Sequence, residues 1–134
     1  MGARPWCLGE SAACYAGGVG LTHVKGTVRN DGQQETLDFL VDSGAVYSLV
    51  PSDVWPKLGL KPQDHQSFVL ADGRAVERDL AECRFELDDR STSTWVILGE
   101  PGDEALLGAY TLEGLRLTLD PFRRKLLPMR GRLA

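Results

Sequence analysis

The residues best suited to chemistry lie in FLVDSGAVYSLVP, Phe39 to Pro51. Asp42 ends an apolar run, and Ser43, Gly44 and Ala45 follow it without bulk before the apolar pattern resumes. A carboxylate placed there can take up and deliver protons for a reacting group. Small residues after it let a second backbone come very close. Gly44 can adopt φ values closed to other residues and aim its N–H at an anion. The triplet Asp-Ser-Gly alone also describes a turn, because Asp and Ser readily hydrogen-bond their own backbone. Its position sets it apart, since an ordinary surface turn does not lie between two apolar runs.

The remaining reactive residues are scattered. Cys7, Cys14 and Cys83 form an odd set without repeated spacing, which is a poor disulfide framework. No C-x-x-C or H-x-x-x-H pair joins them with His23 or His65, so neither a zinc site nor any other metal or cofactor is expected. Reduced thiols and a cytoplasmic location are the expectation. Cys83, among apolar neighbours, reads as a buried structural thiol. The formal net charge is -4, and Arg123-Arg124-Lys125, just before an apolar end, reads as a solvated strand edge. Nucleic acid is therefore not an expected partner. No run reaches the roughly 18 to 20 apolar residues of a membrane-spanning helix, so no membrane partner is expected either. The first residues lack a signal-peptide pattern, and Trp6 falls where a myristoylation start needs Ser or Thr.

The elements that position Asp42 read as β. A length of 134 residues suggests one domain, and 15 glycines with 7 prolines favour many short strands. Residues 1–18 have no period and are expected to be a poorly ordered leader, leaving 19–134 as the domain. LTHVKGTV puts Thr22, Val24, Gly26 and Val28 on one strand face, with His23 on the solvent side. Asp31-Gly32 signals a hairpin. The returning strand puts Leu37, Phe39 and Val41 on one face and Asp42 on the other. After the motif, Ser52 is an expected N-cap and Gly59 a C′ residue for about one helical turn, which Pro56 keeps short. SFVLADGRAVERDLAECRFEL reads as a long hairpin turning at Asp72-Gly73. Its apolar parity changes on the way down, so a bulge or sharp bend is expected near Leu80. STSTWVIL is nearly continuous in apolar character and suggests burial on both faces. ALLGAYTLEGL offers a strand broken at Gly108, then a short helix around Thr111 to Leu115.

FLVDSGAVYSLV resembles the active-site loop of the retropepsin-like (clan AA) aspartic proteases, most of all their small single-domain prokaryotic members. LADGR falls at the place of that family's flap hairpin, and ALLGAYTLEGL resembles the segment under its active-site loop. The match runs from about Leu21 to Pro128. The resemblance implies an all-β closed barrel of the acid-protease fold, with one or two short helices and one lobe per chain. It implies an aspartic endopeptidase that acts on polypeptides without a cofactor. Asp42 would be catalytic, with Ser43, Gly44 and Ala45 supporting the loop, and Ser43 reaching across a dimer. Leu106, Leu107 and Gly108 would buttress the loop. Leu70, Ala71, Asp72 and Gly73 would form the flap tip, within a flap from Ser67 to Val76. Val46, Val69, Leu70 and Ile97 would line the cleft.

Hydrolysis of this kind needs two carboxylates that hold a water between them. Asn30-Asp31-Gly32 and Ala71-Asp72-Gly73 are turn sequences, so the chain carries one Asp-Ser-Gly and activity requires a homodimer. The charged flap tip departs from the glycine-rich apolar tip of viral relatives. Ala45 offers Asp42 no hydroxyl hydrogen bond, so a less acidic optimum than that of stomach-type relatives is expected. A catalytically weak dimerising or peptide-binding module on the same fold is the alternative reading.

Overall fold

The computed structural model describes residues 15–18 and 21–129. Strand β1 (Tyr15–Gly18) pairs with β2 (Leu21–Asn30), Tyr15 opposite His23 and Gly18 opposite Leu21. The rest of the expected leader, with Trp6, Cys7 and Cys14, lies outside the described residues. β2 turns into β3 (Gln33–Val41) through Asp31 and Gly32, with φ of 48° and 83°. Two successive positive φ values match the right-handed twist of the flanking strands, which is why Asp-Gly makes so tight a hairpin.

Five further strands complete the main sheet, among them β4 (Ser48–Val50), β5 (Asp64–Val69), β6 (Ala75–Leu87) and β7 (Arg90–Leu98). A two-residue strand, β8 (Leu106–Leu107), lies between β3 and β4. It runs parallel to β3 and antiparallel to β4, while β4 runs parallel to β7. β6 pairs with β7 and returns to β2, placing Val28 opposite Phe85. The chain of pairings β2-β3-β8-β4-β7-β6 therefore closes on itself as a barrel. Closure leaves no free edge among those strands. Helix α1 (Ala109–Gly114) follows β8, and β9 (Leu117–Asp120) with β10 (Lys125–Pro128) forms a separate ribbon.

The expected strand faces hold. Val24, Val28, Phe39 and Val41 are buried, and the rings of Phe39 and Phe85 pack at the centre with centroids 4.8 Å apart. Such a tilted aromatic pair adds about 0.5–1.5 kcal/mol beyond its area burial. Gly26 leaves room for it, since a Cβ there would stand 2.9 Å from the Phe85 ring. Cys83 is buried too, and desolvation pushes its thiol up to about 12, which suits a core thiol rather than a nucleophile.

Three local expectations are corrected. The single 3₁₀ turn Trp55–Leu58 begins after Val54 without a side-chain cap, so Ser52 caps nothing, whereas Gly59 does close it at φ 72°. Of the bulge or sharp bend expected near Leu80, the bulge is absent: the pairing of β6 with β7 runs unbroken from Asp79 opposite Leu98 to Leu87 opposite Arg90. Leu80 and Ala81 are both buried because β6 leaves its pairing with β5 there and enters the barrel. β7 alternates instead of burying both faces, with Thr94, Val96 and Leu98 inward and Trp95 and Ile97 half-buried.

Candidate active site

β3 hands Asp42 to the barrel surface. Pairing with β8 continues one step past the strand, where the Asp42 N–H donates to the Leu107 carbonyl at 3.0 Å. The chain then turns tightly, the Ala45 N–H donating to the Asp42 carbonyl at 3.1 Å. Asp42 Oδ1 accepts the Gly44 N–H at 3.0 Å, which fixes the direction of the carboxylate. Gly44 does not use the left-handed region that is open to it. Its smallness matters instead, because a Cβ there would stand 3.3 Å from Asp42 Oδ1. Asp42, Ser43 and Gly44 are all exposed, so within one chain the carboxylate faces outward.

The segment after the turn is held by β8 and α1. Ala109 and Tyr110 donate their N–H groups to the carbonyls of Ala45 and Val46, at 2.7 and 3.0 Å. The Gly108 N–H donates to Ser48 Oγ at 2.9 Å, and Ser48 Oγ lies 2.6 Å from Thr111 Oγ1. Ser48 and Thr111 are fully buried, and every polar group in this small network is satisfied by another. Leu106, Leu107 and Gly108 thus lie directly against the Asp42 loop. Replacing Ser48 by Ala would strip a buried N–H and a buried hydroxyl of a partner and is expected to cost about 1–3 kcal/mol. In chemical unfolding, Ser48→Ala combined with Thr111→Val should cost less than the two singles summed. Strict additivity would show that the two hydroxyls do not cooperate.

The hairpin of β5 and β6 carries the flap residues. Leu70 and Arg74 bracket its tip, with the Leu70 N–H donating to the Arg74 carbonyl at 2.8 Å and Gly73 at φ 89°. Asp72 accepts the Arg74 N–H at 3.0 Å and Arg74 Nε at 2.8 Å. The Arg74 backbone bond first, then its side chain, holds the Asp72 carboxyl below its ordinary range. The charged tip is therefore paired within itself, while Val69 is left 76% exposed. On the hairpin's outer face His65 bridges Asp79 and Glu77, at 3.0 and 2.6 Å. Those bonds, Asp79 first, raise its pKa.

Between loop and hairpin lies a cleft of about 490 Å³. Gly44, Ala45, Val46 and Tyr47 line it from the loop and Gln66, Phe68 and Val69 from the hairpin, joined by Ile97, Leu106 and Tyr110. Of the expected lining residues, Val46, Val69 and Ile97 are present, and Leu70 is not. Tyr47, Gln66, Phe68 and Tyr110 escaped notice because they converge from three separate elements. Their one sequence signal is that Gln66 and Phe68 share a strand face.

A family model described as aspartyl protease matches residues 24–111, the span that holds Asp42, the flap hairpin and Gly108. The chain belongs to the aspartyl protease family. Among solved structures, this family member is similar to the solution structure of simian foamy virus (mac) protease. That similarity has 20% identity and a TM-score of 0.49, over 68% of this chain and 91% of that one. It is also similar to the crystal structure of prototype foamy virus protease-reverse transcriptase. There the identity is 14% and the TM-score 0.43, over 81% of this chain and 12% of that one. No curated protein matches it.

Proposed function

We propose that the chain is an aspartic endopeptidase whose site forms when two copies bring their Asp42 residues together about a twofold axis. The observation that carries this reading is the state of Asp42. Its carboxylate is oriented by the Gly44 N–H, exposed, and next to an apolar cleft under a hairpin. The other two Asp-Gly sequences have different work. Asp31 sits in the β2–β3 turn at φ 48°, and Asp72 is bound to Arg74. A twofold pair of identical surfaces is the simplest way to supply the missing carboxylate.

In the proposed dimer two like charges about 3 Å apart cannot both ionise easily, so the pair shares a proton. The ionised member takes a proton from a water held between them, and the water attacks the peptide carbonyl. The protonated member donates to that carbonyl oxygen, then protons pass to the leaving amine. Only the pair has meaningful titration steps. Ser43, exposed beside Asp42, would reach the facing loop, and the apolar cleft would take a substrate side chain.

Concentration dependence tests this directly. Specific activity on a diverse peptide library should rise with protein concentration and track the dimer fraction found by sedimentation. A strictly monomeric chain that cleaves would overturn the reading. A dimer that binds peptides and cleaves none would favour a binding module. The pH–rate profile should peak at less acid values than in stomach-type enzymes, and a peak below about pH 3 would contradict the role given to Ala45.

A further inference from the structure

We propose that Tyr47 is a positioning residue that seats the flap hairpin on the active-site loop of its own chain. Its use in catalysis rests on the reading above. Tyr47 lies in the same loop as Asp42, and its backbone cannot drift. Its carbonyl oxygen occupies the space where a Gly108 Cβ would be, 2.5 Å from that point. The carbonyls just before it, of Ala45 and Val46, are bound by the N–H groups of α1.

From this fixed base the side chain crosses the cleft. The Tyr47 hydroxyl donates to Gln66 Oε1 on β5 at 3.3 Å. Its ring meets Phe68 of the same strand edge-on, with centroids 5.9 Å apart and planes at 88°. A second edge-on contact, at 5.6 Å and 89°, joins it to Tyr110 of α1. Edge-to-face contacts of this kind are attractive and directional. One side chain therefore ties three elements together: the loop that carries Asp42, the strand that carries the flap, and the helix under the loop. Gln66 and Phe68 share the cleft-facing side of β5, so holding them sets the height of the flap over the cleft. Farther out, Val69 is exposed and Asp72 is bound to Arg74 of the same tip. The hairpin's base is held by the β6–β7 pairing and the Arg78–Asp103 ion pair, so the seat at Tyr47 acts between base and tip, on the side that faces the cleft.

The test pairs hydrogen exchange of the unliganded protein with steady-state kinetics, for wild type, Tyr47→Phe, Tyr47→Ala and Gln66→Leu. In Tyr47→Ala the amides of residues 65–77 should exchange roughly tenfold faster, from loss of both ring contacts, while those of 83–87 keep their protection. Tyr47→Phe and Gln66→Leu should give the same smaller acceleration, and their combination no more than either alone. On peptide substrate, Tyr47→Ala should raise KM roughly tenfold with kcat changed less than roughly threefold. Unchanged flap exchange in Tyr47→Ala would overturn the proposal, as would a loss confined to kcat. If wild type cleaves nothing, the protease reading fails, while exchange alone still decides whether Tyr47 seats the flap.

Discussion

Asp42→Asn should abolish peptide cleavage, by roughly 10²–10⁴-fold or to background, while leaving the fold intact. Asparagine has the same shape and still offers an oxygen to the Gly44 N–H, which Asp42 accepts at 3.0 Å. It cannot take a proton from water or carry one to the substrate. The side chain is exposed, so the stability change should stay within about 0.5 kcal/mol. In a dimer the substitution removes the negative charge that the pair holds between the chains, so association should hold or tighten. Cleavage and unfolding measured on one preparation separate these statements. Equal cleavage by both forms would remove Asp42 from the chemistry.

Gly108→Ala should damage both stability and activity. The new methyl would lie 2.5 Å from the Tyr47 carbonyl oxygen, 2.6 Å from its carbon and 2.9 Å from the Ala45 carbonyl oxygen. All three are backbone atoms, so no rotamer change relieves the clash. Either β8 or the loop must move, which strains the Leu107 pairing that seats Asp42 and the α1 bonds that hold Ala45 and Val46. A cost of about 3 kcal/mol is expected, near the upper end for overpacking. Activity should fall roughly a hundredfold through misplacement of the carboxylate. Gly32→Ala is the comparison. It has nothing within 4 Å and only a φ of +83° to accommodate, so it should cost about 1–2 kcal/mol without touching activity. Similar unfolding curves and similar activities for the two variants would show that close approach at Gly108 is unimportant.

Much of the barrel was legible in the chain because a strand with one buried face must alternate. Val24, Val28, Phe39 and Val41 announce their sides, and Asp31-Gly32 announces its turn. The β2–β6 closure was not legible, since nothing local to Val28 says that Phe85 lies opposite it. The same limit applies at Leu80, where a bulge or a sharp bend is expected and the bulge is absent. The change of parity was real, but its cause is which neighbours cover β6, a fact of the whole fold. At the site, Asp42 and its small neighbours stood out by being out of place. Ser48 did not, because a serine within a strand looks ordinary until Gly108 and Thr111 arrive from far along the chain. Gly108 showed as a break in the pattern, yet its reason, the Tyr47 carbonyl, lies in another segment. Tyr47, Phe68 and Tyr110 meet only through tertiary structure.

The central claim is that one site uses Asp42 from two chains. Subunit mixing tests it most directly: wild type and Asp42→Asn are combined in equal amounts, allowed to exchange, and assayed at fixed total concentration. With random pairing and a shared site, cleavage should fall to roughly one quarter of that of wild type alone, because only wild-type pairs are active. A value of roughly one half, the result for chains that each act alone, would contradict the account.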